Sequence, residues 1–410
     1  MLDTLMWAVY FSALYLAVFW LLVLLAGREE ELEEIPEEEL PRVSVVVPAY
    51  NEEDMLAECV ESLLKLDYPG EKLEIIVVND GSTDKTREIA ESFGEKIKLI
   101  NLKKNSGTKA IPLNVGLRKA TGEFVACLDA DSVVGSSNLK NMLRYFQDER
   151  VAAVTPALKV YHPKNLLQKL QWFEYIFAIF LRKYMAAIDS IYVTPGPFTV
   201  YRRQVLLDEG GFDEENITED MEIALRLQYR QHKIANAFDA NVYSLSPDNL
   251  SELYQQRRRW YHGLLSNSIK YKKLFFNRSY GDFGILMPLN VFSVIILMVS
   301  TFIFTYYSLK PFWAKLVNFY LIDFDLWVLL QNLNFNLILL DLDYTKLWIV
   351  LAVLAMGIVT LIISHRISTE RIRRYGFRPL VAFMLFYFLF LGYVWIGVVS
   401  GLAVNRRRRW

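Results

Sequence analysis

The chain has 410 residues, 53% of them hydrophobic, and a formal net charge of −1. The apolar share is above the soluble norm, and the near-neutral balance gives no electrostatic case for nucleic acid as a partner. With two cysteines and four histidines, neither a disulfide framework nor a Cys/His zinc pattern is expected, and Cys59 and Cys127 read as reduced core residues.

The apolar excess lies near the two ends, which predicts one soluble domain of roughly 250 residues between membrane segments. Residues 5–26 are uncharged and long enough to span a bilayer. No basic segment precedes them and no Ala-x-Ala-like site clearly ends them, so residues 1–27 are expected to be an anchor rather than a cleaved signal peptide. Residues 28–41 hold Glu29 to Glu39, broken by Pro36, and read as a solvated acidic linker.

The predicted soluble domain covers residues 42–262. Val43 to Val47 reads as a strand that ends in Pro48-Ala-Tyr50-Asn51-Glu52-Glu53, followed by helical periodicity from Glu52 to Leu66. A second strand, Leu73 to Val78, ends in Asn79-Asp80-Gly81-Ser82-Thr83-Asp84; a helix spans Thr83 to Phe93 and a third strand Ile97 to Leu102. Val125-Ala-Cys-Leu-Asp129-Ala-Asp131 is a fourth strand that stops at two carboxylates. Strands alternating with helices predict an α/β fold with a parallel sheet, whose ligands bind at the carboxyl ends of the strands. There Tyr50 can stack on a base, Asp80 can accept from a uracil imide N–H, and Gly81 lets the backbone turn. Asp129 and Asp131 suit a hard cation, Mn²⁺ or Mg²⁺, that also takes phosphate oxygens. Taken singly, each cluster also fits an ordinary strand-to-helix turn.

Together, Pro48-Ala-Tyr50-Asn51-Glu52, Asn79-Asp80-Gly81-Ser82-Thr83-Asp84 and Asp129-Ala-Asp131 resemble the donor-binding half of the inverting family-two glycosyltransferases. The resemblance implies the Rossmann-like, mostly parallel sheet of the GT-A fold. It continues through Lys109-Ala-Ile-Pro-Leu-Asn114-Val-Gly116-Leu117, with Thr108 in place of the family's Gly and Pro112 in place of its Ala. By the same resemblance Pro48, Tyr50, Glu52 and Asp80 hold the nucleoside, Lys109 meets the diphosphate, and Asp131 with Asp129 holds the metal.

Residues 162–188 are aromatic-rich with flanking Lys169, Arg182 and Lys183, and fit either an amphipathic helix in the membrane interface or a buried helix. Gly196-Pro-Phe-Thr-Val-Tyr201-Arg202-Arg203 and Gly210-Gly211-Phe212 match family positions on the acceptor side. In Thr218-Glu219-Asp220 the resemblance makes Asp220 the general base, with Glu219 beside it. A carboxylate can serve so if it reaches the acceptor hydroxyl; the competing reading is a helix N-terminus capped by Thr218. Gln256-Arg257-Arg258-Arg259-Trp260 resembles the motif of membrane-bound hyaluronan, chitin, cellulose and poly-N-acetylglucosamine synthases. It implies Arg257 and Arg259 on the diphosphate, and Gln256, Arg259, Trp260 and Gly196 on the acceptor.

Residues 263–282 read as a second interface helix, and 283–410 as a membrane region with about three spans, near 283–308, 346–364 and 380–404. Residues 311–344 carry Asp323, Asp325, Asp341 and Asp343 and are placed outside lipid. Basic residues before the first of these spans put the catalytic domain in the cytoplasm, on a multi-pass protein of the cell membrane. The tract from Arg366 to Arg378 and the tail from Arg406 to Arg409 both favour the cytoplasm although one span separates them. Either the last segment re-enters, or 311–344 crosses.

The expected reaction is transfer of a sugar, with inversion, from a nucleotide diphosphate sugar to a growing glycan. UDP is favoured over GDP, and a homo-oligomer or partner subunit is allowed because the spans are few for a channel. The alternatives are transfer of a single sugar to a membrane lipid, such as diacylglycerol or polyprenyl phosphate, and a non-catalytic glycan-binding or glycan-translocating protein.

Overall fold

The computed structural model describes residues 2–26, 32–321 and 344–403. A helix, Leu2–Ala26 (α1), precedes an eight-stranded sheet. Val43–Ala49 (β1), Leu73–Asn79 (β2), Lys98–Asn101 (β3) and Phe124–Cys127 (β4) form its parallel half, separated by helices Leu56–Leu64 (α2), Thr86–Ser92 (α3) and Ala110–Lys119 (α4). The central strands are apolar on both faces because helices cover both. Alternation along the strands divides the core: Val45, Val47, Ile75 and Val77 face one layer, and Val46, Ile76, Val78 and Val125 the other. Pro112 falls in the first turn of α4, where its missing N–H costs nothing.

The second half departs from a purely parallel plan. It runs Ser132–Val134 (β5), Asn138–Leu143 (α5), Val151–Val160 (β6), Leu166–Ala187 (α6), Thr199–Arg202 (β7), Arg203–Asp208 (α7), Glu219–Tyr229 (α8), Lys233–Ser244 (β8) and Leu250–Lys270 (α9). The strand order is β3-β2-β1-β4-β7-β6-β8-β5, with β7 antiparallel to β4 and β6 and β5 antiparallel to β8. The chain winds outward from β1 to β3 and then returns to β4 on β1's other edge. Between β1 and β4, at their carboxyl ends, lies the crevice such a reversal creates.

Several expectations are corrected. Gly210-Gly211-Phe212, expected on the acceptor side, packs on α4. The Asn114 side chain accepts from Phe212 N at 2.8 Å and donates to Phe212 O at 2.9 Å, so the two glycines clamp the loop before α8 onto α4. Of the linker, residues 32–41 rest on the domain rather than standing free: Lys72 Nζ donates to Glu38 O at 2.8 Å and Gln147 Nε2 to Glu33 O at 2.9 Å. Residues 263–282 are not one helix but the end of α9 followed by short 3₁₀ turns at Lys272–Leu274 and Arg278–Tyr280.

The C-terminal region contains Phe283–Leu321 (α10), Tyr344–Ile367 (α11), Phe377–Ala382 (α12), a π-helical segment Phe383–Tyr387 and Phe388–Ala403 (α13). Among the described residues, Met6–Val23, Phe283–Tyr307 and Phe377–Gly401 are helical, long and apolar enough to cross a membrane; Leu354–Ile367 is a shorter apolar stretch in α11. Most of 311–344 with its acidic residues, and the Arg406–Arg409 tail, lie outside the described residues. In the aromatic segment 162–188, one side of the helix is buried against the sheet. Trp172, Phe173, Ile176 and Ile179 of α6 enter the sheet core. Trp172 also meets His365 of α11, and Phe173 meets Phe383 of the π-helical segment. With apolar partners on two sides, each large side chain gains about 1.5–3 kcal/mol from burial.

Candidate active site

The carboxyl ends of β1, β2 and β4 open into a cavity of about 660 Å³. At one end stand Pro48, Tyr50 and Asp80. The loops after β1 and β2 hold each other: Asn51 N donates to Ser82 Oγ at 3.1 Å, Thr83 N to Asn51 Oδ1 at 2.9 Å, and Lys85 N to Glu53 Oε2 at 3.0 Å. Asn51 adopts φ 54° to make this exchange, a left-handed backbone that Asn tolerates well. The neighbouring polar residues are thus spent on structure, while Tyr50, 44% exposed, stays open at the mouth. Gly81, φ 70°, passes so close to Lys104 that a Cβ would lie 2.7 Å from its Cα. Asp80 accepts from Ser106 N at 3.0 Å and Ser106 Oγ at 2.7 Å. Burial outweighs these bonds and raises its pKa.

At the centre Asp129 and Asp131 follow β4. Asp131 is oriented by Ser132 Oγ at 2.8 Å and Ser244 Oγ at 3.4 Å. Burial and the charge of Asp129 push its carboxyl up to about 6. Glu52 goes up to about 7, through burial and then the charges of Asp131 and Asp129. The cavity therefore carries more negative charge than it comfortably holds. One counter-charge is Lys109, whose ammonium is bonded to Asp129 and lies 3.7 Å from Glu219. Burial pulls its pKa down, yet the two carboxylates win and raise it. Gly196 packs against this pair: a Cβ there would fall 2.8 Å from Asp129 Oδ1 and onto Lys109 Nζ. Gly196 thus sits against the charged centre, on the wall of the same cavity as Gln256, Arg259 and Trp260.

Glu219 and Asp220 open α8. Thr218 precedes them without capping the helix; its hydroxyl accepts from Asn267 Nδ2 at 3.1 Å, so the simple cap reading fails. Thr194 Oγ1 donates to Asp220 O at 2.7 Å and Met221 N to Asp220 Oδ1 at 2.8 Å, which aims the carboxylate into the cavity. Burial raises the Asp220 pKa, opposed by the charges of Lys109 and Arg259. Glu219 is pushed up to about 7 by burial, against the pull of Lys109.

α9 brings Gln256, Arg259 and Trp260 to the wall. Arg257 is not among them, which corrects its expected place on the diphosphate. It is fully buried, its Nε donates to Glu174 Oε1 at 3.0 Å, and its guanidinium lies 4.2 Å from the Trp260 ring. Helix phase explains the split. Residues 256, 259 and 260 share a face at i, i+3 and i+4, and 257 points elsewhere. That phase was available in the sequence. Sequence reasoning gave no site role to Tyr175, Arg182, Tyr192 and Tyr261, which also line the cavity. No motif marks them; folding brings them from three separate segments.

The family model described as glycosyltransferase like family 2 matches residues 41–263. The chain is 32% identical over 230 residues to a poly-beta-1,6-N-acetyl-D-glucosamine synthase of Staphylococcus aureus, covering 55% of each chain. It is 32% identical over 225 residues to the protein of that name from Staphylococcus epidermidis, covering 54% of each. The matched stretch spans about half the length of these relatives. Among solved structures, a mannosyltransferase from Pyrobaculum calidifontis, in complex with GDP-Man and Mn²⁺, superposes with a TM-score of 0.60 at 20% identity. It covers 90% of this chain and 99% of that one. At that identity the likeness supports the GT-A fold.

Proposed function

Because the chain belongs to glycosyltransferase family 2 and is an enzyme of that kind, we propose that it transfers a sugar, with inversion, from a nucleotide diphosphate sugar to an acceptor at the cytoplasmic face of the cell membrane. The observation that carries this reading is the shared cavity: the strand-end residues Tyr50, Asp80, Asp129 and Asp131 and the α8 carboxylate Asp220 line one space.

Tyr50 stacks on the base, and Asp80, whose two oxygens retain acceptor capacity, takes the imide N–H of a uracil. UDP is therefore favoured over GDP. Asp129 and Asp131 offer hard oxygen donors in a site already over-supplied with negative charge, which fits Mn²⁺ or Mg²⁺ completed by diphosphate oxygens. Such an ion offsets the charge of the leaving diphosphate when bound. Lys109 and Arg259 supply further positive charge there. Among the described residues Arg259 makes no hydrogen bond or ion pair, so it is free to meet an anion. Asp220 accepts the proton of the attacking hydroxyl as the new bond to the anomeric carbon forms, and the bond to the diphosphate oxygen breaks with its electron pair. Trp260 offers an aromatic face to the acceptor.

A growing glycan is the first acceptor, by similarity to the named synthases. A membrane lipid is the second, favoured because Tyr261, at the acceptor end, stacks on Trp395 of α13. The test is nucleoside diphosphate release by lipid-reconstituted protein from UDP- and GDP-sugars with Mn²⁺ or Mg²⁺. Metal-dependent release from one donor, lost in Asp220→Asn, supports the reading. No release from any donor, with lipids and oligosaccharides supplied, overturns it.

A further inference from the structure

The cavity holds a cation without a counter-ion. Arg182 of α6 lines it beside Tyr175, Tyr192 and Tyr261. Its Nη1 is buried with no hydrogen-bond acceptor, and among the described residues no hydrogen bond or ion pair engages the rest of the guanidinium. Several other cations deep in the fold are matched, Lys109 by Asp129, Lys159 by Glu370, Arg226 by Glu222 and Arg257 by Glu174, whereas half-buried Arg182 shares its unpaired state with Arg259 on the same cavity wall. Burial lowers the Arg182 pKa, against the influence of Tyr175, Tyr192 and Asp220. A desolvated guanidinium is unfavourable unless an anion answers it.

Its position says which anion. Arg182 and Tyr175 share a face of α6, about two turns apart, and line the cavity together with Tyr192, Tyr261 and Asp220. The wall beside it is aromatic, and Tyr261 there stacks on Trp395 with ring centroids 4.3 Å apart and planes 10° from parallel. Trp395 belongs to a helix apolar and long enough to cross a bilayer.

Resting on the transfer reaction above, we propose that Arg182 binds an oxyanion carried by the acceptor, in the first place the phosphoryl headgroup of a membrane lipid. A phosphoryl oxygen bonds to the anomeric carbon while the bond from that carbon to the diphosphate breaks and the electron pair leaves with the nucleoside diphosphate. If the attacking oxygen carries a proton, Asp220 takes it. A carboxylate on a glycan would present the same chemistry from another source.

The test compares wild type, Arg182→Gln and Arg182→Lys in lipid nanodiscs. Four acceptors are supplied: a long-chain isoprenyl phosphate, the isoprenol lacking the phosphate, a uronic-acid oligosaccharide and a neutral N-acetylglucosamine oligosaccharide. Binding of the isoprenyl phosphate without donor is read in parallel by native mass spectrometry. The expected result is use of the phosphate over the alcohol. Arg182→Gln should raise the KM for the phosphate roughly 10- to 100-fold, the worth of a charge-assisted bond, with Arg182→Lys between. The melting temperature of Arg182→Gln should hold or rise, whereas an arginine serving structure alone would lower it. Dependence on Arg182 confined to the uronic-acid oligosaccharide moves the oxyanion to a glycan. An unchanged KM and unchanged binding in Arg182→Gln, or transfer to the neutral oligosaccharide alone, overturns the assignment. Binding that depends on Arg182 without any nucleoside diphosphate release retains the anion site and defeats the transfer reading.

Discussion

Replacing Glu174 by Gln attacks the contact that ties α9 to α6 and to the apolar C-terminal segment. Glu174 of α6 receives Arg257 Nε at 3.0 Å and the Tyr387 hydroxyl at 2.7 Å, and the Arg257 side chain is 0% exposed. The amide would keep the shape, remove the charge and turn an NH₂ group towards a guanidinium that has nowhere to go. Breaking a buried pair from one side costs about 3–5 kcal/mol, and at about 2–4 °C per kcal/mol for a domain of this size the melting temperature should fall roughly 6–20 °C. Trp260, which lies against the Arg257 guanidinium, should shift with it and lower the transfer rate. Thermal unfolding followed by tryptophan fluorescence in nanodiscs, with nucleoside diphosphate release alongside, reads both. The double variant Glu174→Met with Arg257→Met should recover part of the loss, because two apolar side chains need no partner, while the Tyr387 hydroxyl still loses its acceptor. A fall of less than about 2 °C in Glu174→Gln, or a double variant no better than the single, would refute the reasoning.

Other outcomes follow from the same geometry. Gly196→Ala puts a methyl group onto the Lys109–Asp129 pair and should weaken Mn²⁺ affinity and donor turnover at least about tenfold, measurable by metal titration of the rate. Asp220→Asn should lose about 10²–10⁴ in kcat while still binding nucleoside diphosphate, checked by equilibrium binding. Burial holds the Asp220 carboxyl above its ordinary range, and only the deprotonated base accepts a proton. The acid limb of kcat/KM should therefore fall with slope one as pH drops through a pKa higher than that of a free aspartate. Asn114→Ala strands the buried Phe212 backbone N–H and C=O, which should cost about 1–3 kcal/mol of stability in a denaturant titration.

The parallel half of the sheet was legible because β1, β2 and β4 are largely apolar runs and its chemistry falls where those runs stop, at Tyr50, Asp80 and Asp129. Gly81 and Pro112 also spoke locally, through backbone freedom and helix-start tolerance. The mixed half was not legible. β7 is four residues long, and nothing inside it says that it will run antiparallel between two distant strands. α6 left both an interface and a buried reading open because its second cover comes from residues near position 365 and beyond. In the run from Arg257 to Arg259, composition made the three arginines equivalent, and only their phase on α9 separates a buried clamp from a cavity cation. Arg182 gave less notice still: its significance lies in the partner it lacks, and that needs the whole neighbourhood to be known.

The Tyr261–Trp395 stack and the Tyr387–Glu174 bond fasten the acceptor wall to one apolar helix at two heights. A helix of that kind adjusts its tilt to the thickness of the bilayer around it. With two such fastenings the tilt has no slack to absorb it. On the proposed membrane placement, acyl-chain length becomes an input: thin and thick membranes would set Tyr261 and its neighbours at different angles to the proposed base Asp220, and turnover would pass through an optimum as chain length is varied.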